Sequence, residues 1–439
     1  MSGEIRLPPI VRTRSECGLR VIVAERPGVP LVAVRLVLQG GASLDPKGRY
    51  GLAHLVATVG RRGTRRRTGT RMDELVESMG AELGVGVDED ASYMGLSTPV
   101  EHLARALDVL ADVAGAPTFP AAELGRLRRR ELASLQHDLD EPGVVADRAL
   151  LGAAYDGHPY GHPPEGRARD IAAIKRADLV GFHQRHYGTS SAIVVVVGPV
   201  KTAEVMEIVE ARFGGWSRRA PELPELAEPV FPGRSVLVVD KPDLTQAQLR
   251  IASPGFARSN PDYLSGLVAS AILGGAFTSR LMEAIRVNRG LSYGVRSRFA
   301  SSRVGGMFFI SSFTKIETSG ELVQVALDET RRFCEGGPTP EELERTQNYL
   351  CGLHPLSLET HDQLAERLAD LELHGLPQDE IATFRPRIRE VTVEGCTAVA
   401  RRHFPLDHGF IVAVGPARKL AVQLERFGPL TVVPAKRIL

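Results

Sequence analysis

Apolar residues follow two different spacings along this chain, and each spacing predicts a different kind of element. Short apolar runs rich in β-branched side chains, at residues 31–38 and 193–197, predict strands. Apolar positions three and four residues apart over 72–80, 100–114 and 121–138 predict amphipathic helices of ordinary length. Since strands and helices do not alternate one to one, we predict an α+β fold and not a doubly wound parallel sheet.

A repeated motif indicates that the chain consists of two related halves. One apolar run ends at Gly198-Pro199 and a similar run ends at Gly415-Pro416, and each is followed by a helical pattern that ends in Phe-Gly. Residues 217–233 are rich in proline, which is typical of an extended linker. We therefore predict two homologous domains, residues 1–216 and 234–439, each a mostly antiparallel sheet packed with helices.

Composition places the chain among ordinary globular proteins. Its 439 residues are too many for one hydrophobic core, and 43% hydrophobic with 24% charged residues excludes a disordered chain, a collagen and a disulfide scaffold. A net charge of +1 provides no overall attraction to nucleic acid or to anionic membranes. We find no signal-peptide pattern, no apolar run near the roughly 20 residues that span a bilayer, and no CxxC motif among the four cysteines. We expect a soluble, cytoplasmic protein.

Two runs of arginines interrupt this balanced composition, at residues 61–71 and 126–130. No aromatic residues are interleaved with them, which disfavours RNA binding. We interpret both runs as solvated loop and helix faces, or as a chamber wall that steers acidic peptides.

The segment after the first predicted strand carries the most informative motif. It reads Gly51-Leu-Ala-His54-Leu-Val-Ala57-Thr58 within a predicted helix over residues 51–60. It resembles the helix of the pitrilysin/insulinase family of zinc peptidases, which includes the mitochondrial processing peptidases and carries His-x-x-Glu-His. In that motif two histidines one helical turn apart share a Zn²⁺ ion, and the glutamate between them activates a water molecule.

The resemblance implies a zinc site that has been lost. His54 is present, but Ala57 stands at the position of the general base and Thr58 at the position of the second histidine. Alignment through Asp140-Glu-Pro142 places Ser134 at the third ligand. Since catalytic zinc needs three protein ligands, we predict that this chain binds no metal and that His54 is a remnant.

The second half matches a different motif of the same family. Residues 279–293 include Ser-Arg-Leu and then Arg289-Gly290-Leu-Ser-Tyr293, which resembles the family's second-half signature. In active members an arginine and a tyrosine from this region contact the substrate near the scissile carbonyl. The resemblance assigns these roles to Arg286 and Tyr293, with Arg289 as an alternate. Taken alone, the residues also fit an arginine at a helix C-terminus and a tyrosine in a core strand.

The two motifs together imply a fold and a function. The resemblance implies that the two domains face each other as half of a clam-shaped chamber, and that proteolysis needs a zinc half and an Arg/Tyr half. Our leading hypothesis is a non-catalytic subunit, inactive alone, of a heterodimeric zinc peptidase. Its expected partners are a homologous zinc-bearing subunit and a peptide, with zinc on the partner and with no nucleic acid or membrane.

Two other interpretations stay open from the sequence. One is a purely structural subunit without a peptidase role. The other is an independently active enzyme with a different site. The sequence also leaves open whether the isolated chain forms a homodimer.

Overall fold

The computed structural model describes residues 6–216, 219–231, 233–405 and 409–438. Its strands, numbered in chain order, are β1 (Ile10–Arg14), β2 (Arg20–Glu25), β3 (Leu31–Gln39), β4 (Gly84–Val87), β5 (Ala91–Pro99), β6 (Ala192–Gly198), β7 (Val236–Asp240), β8 (Gln246–Pro254), β9 (Val295–Ser301), β10 (Gly306–Lys315), β11 (Phe410–Gly415) and β12 (Leu430–Pro434). Its α-helices are α1 (Leu52–Gly60), α2 (Gly69–Ser78), α3 (Leu103–Gly115), α4 (Ala121–Asp138), α5 (Pro142–Ala154), α6 (Ala168–Ala173), α7 (Arg176–His186), α8 (Thr202–Phe213), α9 (Tyr263–Ser270), α10 (Ser319–Gly336), α11 (Pro340–Leu356), α12 (His361–Leu373), α13 (Glu380–Arg389), α14 (Val393–His403) and α15 (Ala417–Leu424).

The chain forms two compact units, and neither is continuous in sequence. Unit 1 comprises Met1–Ser134, Pro163–Glu225 and Pro355–Ala382, and unit 2 comprises Leu135–His162, Leu226–His354 and Thr383–Leu439. Each unit therefore includes a segment from the opposite half of the chain, which differs from the contiguous division into 1–216 and 234–439.

The predicted linker contains one boundary between the units. Within residues 217–233 the chain passes from unit 1 to unit 2 between Glu225 and Leu226. The described residues of this segment form neither helix nor strand, and Ser217, Arg218 and Pro232 lie outside the described residues.

Each unit contains one six-stranded sheet, and five strands of the two sheets have the same arrangement. The shared order is β2-β6-β3-β5-β4 in unit 1 and β7-β11-β8-β10-β9 in unit 2. In both, the first pair is parallel and the other three are antiparallel. The sixth strand differs, because β1 is antiparallel to β2 whereas β12 is parallel to β7. The predicted α+β class, with mostly antiparallel sheets packed with helices, is confirmed.

The discontinuity of the units has a physical reason, which is that each sheet is covered on both faces. Strands β6 and β11 are buried along their whole length. In unit 1, α12 packs on β3 and β6 through leucines such as Leu364 and Leu368. In unit 2, α5 packs on β8 and β11 through Val145 and Leu150. Burying a leucine side chain contributes about 1.5–3 kcal/mol, so the covering helices hold these segments in the units where they lie.

The predicted elements agree with the observed ones to within a few residues at their ends. Helices predicted over 51–60 and 121–138 are α1 and α4, and the strand predicted over 31–38 is β3. Helix α9 is α-helical only as far as Ser270, and the chain continues as a π-helical segment, Ala271–Gly275. Among the described residues, no helix is both long enough and apolar enough to cross a membrane.

Candidate functional site

Helix α1 of unit 1 carries the remnant of the predicted zinc motif, and a buried aspartate fixes its start. Asp45 accepts hydrogen bonds from the backbone N–H of Gly51 (2.6 Å) and of Ala53 (2.8 Å). Burial raises the pKa of Asp45 to about 7, while these amide hydrogen bonds act in the opposite direction. Gly51 has φ of 95°, and a Cβ atom there would lie 2.6 Å from the backbone oxygen of Glu165. A close backbone approach therefore sets where α1 begins.

The side chains at the three motif positions do not form a zinc site. Ala57 is 2% exposed and has no group that could accept a proton. The Thr58 hydroxyl donates to the backbone oxygen of His54 at 2.8 Å, one turn back along the helix. Within the described ranges we find no group of three or more His, Cys, Asp or Glu side chains that could hold a metal ion. The residues present do not fit a catalytic zinc ion.

A carboxylate that the sequence analysis missed lies beside His54. Glu131, on α4, is 8% exposed, and its Oε2 lies 3.6 Å from Nε2 of His54. Its other oxygen accepts a hydrogen bond of 2.8 Å from Arg130. The adjacent His54 lowers the pKa of Glu131 to about 2, and Arg130 acts in the same direction. His54 therefore lies against a buried carboxylate in this unit and not against a metal-ligand set.

Ser134, which the alignment placed at the third ligand position, lies about one turn beyond Glu131 on α4 and does not contact His54. Ser134 is exposed, whereas Glu131 lies on the buried stripe that includes Leu124, Leu127 and Leu135. An acidic residue at an apolar position of an amphipathic helix was the signal that could have identified it.

The arginine runs that follow α1 and lie on α4 are largely neutralised by nearby carboxylates. Arg67 lies 2.7 Å from Asp112, and Asp108 contacts both Arg66 and Arg67. Further pairs in these runs are Arg61–Asp73, Arg62–Asp73, Arg62–Glu123, Arg71–Glu74 and Arg126–Glu123. These contacts hold loops and helices of unit 1 together, and Arg61, Arg62 and Arg67 are half-buried and not fully solvated as the sequence had suggested.

A separate groove in unit 2 contains the second predicted motif. It has a volume of about 1150 Å³ and is lined by residues that include Arg286 and Tyr293. The Arg286 guanidinium carbon lies 4.4 Å from the centre of the Tyr293 ring and 5.1 Å from that of Phe277. The structure therefore brings Arg286 and Tyr293 together. Their role in substrate binding stays a prediction.

Exposure separates these residues from ordinary core positions. The Tyr293 and Phe277 residues are each 75% exposed, so Tyr293 is not a core residue of a strand. Arg289, the alternate, is exposed, and its guanidinium donates to the backbone oxygen of Ala284 at 3.0 Å. Arg289 therefore closes the end of its own helix, while Arg286 faces the aromatic rings.

Two irregular helical segments present these side chains. The π-helical segments Ala271–Gly275 and Met282–Val287 lie on either side of the Phe277 turn, and π-helical turns are frequent at functional sites. At Gly274 a Cβ atom would lie 2.8 Å from the Ser297 hydroxyl, so this glycine allows the first segment to approach β9. Gly290, just after the second segment ends, has φ of 60°, a backbone conformation common for glycine past a helix end.

Comparison with family models and known proteins assigns the chain to a family. Residues 20–166 match the model described as insulinase (peptidase family M16), and residues 173–350 match the model described as peptidase M16 inactive domain. The chain belongs to the insulinase family, peptidase family M16. The expected family is thereby confirmed.

Individual M16 relatives match nearly the whole chain. A non-peptidase homolog, YmxG, from Helicobacter pylori is 26% identical over 88% of this chain and 89% of the relative. The beta subunit of the human mitochondrial-processing peptidase is 25% identical over 95% of this chain and 86% of the relative. The crystal structure of a peptidase M16 inactive domain from Pseudomonas fluorescens superposes with a TM-score of 0.88 at 28% identity, covering 93% of this chain and 98% of that one. The M16 fold therefore extends over both units.

Proposed function

We propose that this chain is the non-catalytic subunit of a two-chain zinc peptidase, in which a homologous chain carries the zinc and Arg286 and Tyr293 contact the peptide. The observation that carries the proposal is the contact between half-buried Arg286 and the exposed ring of Tyr293. A tyrosine that is 75% exposed and stacked on an arginine contributes little to the core, so burial gives no reason for its position.

The composition of the remnant site supports the non-catalytic assignment. Ala57 cannot activate water, and the Thr58 hydroxyl is used by the backbone of α1. Two proteins described as a non-peptidase homolog and as an inactive domain each match nearly the whole of this chain. The relative described as a beta subunit supports assembly with a second chain.

The groove residues can act on a peptide without supplying a nucleophile. A guanidinium and a phenol both donate hydrogen bonds, and donors held in place near a peptide carbonyl stabilise the negative charge that develops on its oxygen during hydrolysis. The stacking of Arg286 on Tyr293 and Phe277 restrains its guanidinium and leaves the in-plane N–H groups free to donate.

The test combines this chain with the homologous chain of the same genome that retains His-x-x-Glu-His. The mixture should form a complex and cleave peptides, and this chain alone should not. Arg286→Ala and Tyr293→Phe should leave the complex assembled and lower kcat by on the order of 10²-fold, the typical effect of removing one oxyanion donor. Arg418→Ala, at an exposed position of α15, is the matched control and should cleave at the wild-type rate.

The outcomes separate this proposal from its rival. If both groove variants assemble and cleave at the wild-type rate, the pair is structural and the chain is a scaffold. If no homologous chain with an intact motif stimulates or is stimulated by this one, the two-chain arrangement is wrong. A raised KM with unchanged kcat would assign Arg286 and Tyr293 to ground-state binding.

A further inference from the structure

Three arginines lie together on one face of the β1–β2 pair in unit 1. Arg14 and Arg20 are direct partners in the antiparallel register, and Arg12 is the partner of Ile22. Side chains of directly paired residues point to the same face of a sheet, as do those of residues i and i+2 along a strand. Arg12, Arg14 and Arg20 therefore share a face, and we call them the arginine triad.

Helix α12 covers this face of the sheet. Ile22 and Ala24, which lie on the same face as the triad, belong to one apolar cluster with Leu368 of α12. Glu372, on the same helix, lies 3.0 Å from Nε of Arg12. The triad therefore lies at the polar margin of the apolar contact between the sheet and α12.

The triad carries more positive charge than its surroundings neutralise. Among the described residues, Glu372 is the only carboxylate within 4 Å of a guanidinium nitrogen of the triad. Three guanidinium groups and one carboxylate leave a formal excess of two positive charges. Since like charges on directly opposed residues destabilise a strand pair, Arg14 and Arg20 weaken the pairing of β1 with β2.

Several hydrogen-bond donors of the triad have no acceptor. Nη2 of Arg12 and both Nε and Nη2 of Arg20 are buried, and no described residue accepts a hydrogen bond from them. Burial lowers the pKa of Arg20, Glu372 acts in the opposite direction, and Arg14 acts in the same direction as burial. A guanidinium group stays protonated at neutral pH, so these N–H groups are charged donors left unsatisfied, which costs stability.

The triad is also open to solvent. Arg14 is exposed, Arg20 is half-buried, and the side chain of Arg12 is 19% exposed. A small anion can therefore approach the triad from solvent. An arginine side chain rotates about several bonds, so the enclosed donors can turn toward an anion that Arg14 holds.

We propose that the arginine triad binds the phosphate group of a small soluble phosphomonoester. Such a group carries about 1.5 to 2 negative charges at pH 7 and three acceptor oxygens, which match the excess positive charge and the unsatisfied donors. Planar guanidinium groups bind phosphate through paired hydrogen bonds. The bound phosphate attracts both Arg14 and Arg20, and so stabilises the attachment of β1, whose only strand neighbour among the described residues is β2.

Isothermal titration calorimetry with the full chain, at constant ionic strength, tests the proposal with methyl phosphate. Dimethyl phosphate and acetate, which each carry one negative charge, are the comparison ligands. We expect methyl phosphate to bind about tenfold more tightly than either, because its second charge pairs with a second arginine. Inorganic phosphate should compete with it. Equal binding of the three ligands, or no saturable binding of methyl phosphate, would overturn the proposal.

Variants of charged residues locate the site. Arg14→Gln or Arg20→Gln should weaken the binding of methyl phosphate about tenfold. Arg71→Gln is the matched control, because it removes an exposed arginine of unit 1 that pairs with Glu74, and it should leave the affinity unchanged. Glu372→Gln should tighten binding several-fold, because it removes the carboxylate that competes with the phosphate. Unchanged affinity in Arg14→Gln, or no gain in Glu372→Gln, would show that the triad is not the site.

Stability measurements separate a binding role from a purely structural one. Without phosphate, Arg14→Gln should melt above the wild type, because the charge opposite Arg20 is removed. Methyl phosphate should slow hydrogen exchange of the β1 amides in the wild type and not in this variant. A lower melting temperature of Arg14→Gln with wild-type exchange protection would show that Arg14 only supports the fold.

The same phosphate group can also be carried by a lipid, and vesicles distinguish the two sources. Vesicles of phosphatidylcholine with phosphatidate present a phosphomonoester on a surface. We expect no binding to them that an excess of methyl phosphate fails to displace. Vesicle binding that persists in this excess would assign the triad to a membrane headgroup and overturn the proposal of a soluble ligand. None of these measurements depends on the proposed function, because no peptide is cleaved in them.

Discussion

Replacing Thr58 by His should create a zinc site in unit 1. Residues 54 and 58 lie one helical turn apart on the same face of α1. Glu131 Oε2 lies 3.6 Å from His54 Nε2, and two ligands of one tetrahedral zinc ion at bond lengths of about 2.0–2.1 Å are separated by ~3.3 Å. Two of three ligands are therefore nearly in place, and Thr58→Ser, which adds no ligand, is a control.

The size of the effect follows from mass action. A three-ligand site with a Kd of about 1 μM, in 100 μM zinc, would stabilise the folded chain by about 2.7 kcal/mol. For units of this size, that corresponds to a rise in melting temperature of roughly 5–10 °C. Without zinc, the larger imidazole at the half-buried position 58 should cost up to about 1–3 kcal/mol, so Thr58→His should melt below the wild type in EDTA.

The assay is differential scanning fluorimetry in zinc and in EDTA, with metal analysis after dialysis. Thr58→His should retain one zinc ion per chain and show the zinc-dependent shift. Thr58→His combined with Glu131→Gln should lose both, because the third ligand is removed. Equal zinc retention by the single and double variants would refute the role assigned to Glu131, and the absence of any shift in Thr58→His would refute the geometry of the pair.

Three other predictions concern stability and metal content. The wild-type chain should retain no stoichiometric zinc after dialysis, because Ala57 and Thr58 supply no ligand; one zinc ion per chain held by His54 would contradict this. Gly51→Ala should lower the free energy of unfolding in urea by about 1–3 kcal/mol, because φ is 95° and the added Cβ would meet the Glu165 backbone oxygen at 2.6 Å; an unchanged midpoint would count against it. Because folding lowers the pKa of Glu131, its ionised carboxylate stabilises the folded chain at pH values above the pKa that the carboxyl has in the unfolded chain. This stabilisation is lost as the pH falls from about 4.5 to about 2. Between pH 5 and pH 2 the free energy of unfolding of Glu131→Gln should therefore fall by about 1–3 kcal/mol less than that of the wild type. Parallel plots of unfolding free energy against pH for the two proteins would show that the pKa of Glu131 is not lowered.

Local patterns were sufficient for most elements and for the loss of the zinc motif. The run of valines that forms β6 has no other stable place than a buried strand, because it has no polar face to present to water. Gly290 follows a helix end with positive φ, for which glycine has no Cβ penalty. Ala57 and Thr58 lack the general base and the second imidazole of the zinc motif, and this loss can be recognised from the residue types alone.

Contacts between distant residues could not be predicted in the same way. The carboxylate beside His54 is Glu131 and not a residue at position 134, because the rotation of α4 about its axis depends on which of its faces packs on unit 1. Helical periodicity predicts which face of α4 is buried, but not which residue that face contacts. The pairing of the arginines is equally non-local, since Arg66 and Arg67, in the loop between α1 and α2, contact Asp108 on α3.

The sequence by itself determined the family, the repeated order of strands and helices, and the residues that are missing from the metal motif, because these depend on local periodicity and on the identity of side chains. The tertiary structure alone decided that α5 and α12 cover the sheets of the opposite sequence halves, and that Arg286 stacks on Tyr293 in the groove of unit 2. The physical reason is that burial of a sheet face and pairing of a charge depend on which surfaces meet in space, and many distant segments are apolar or acidic enough to serve as partners.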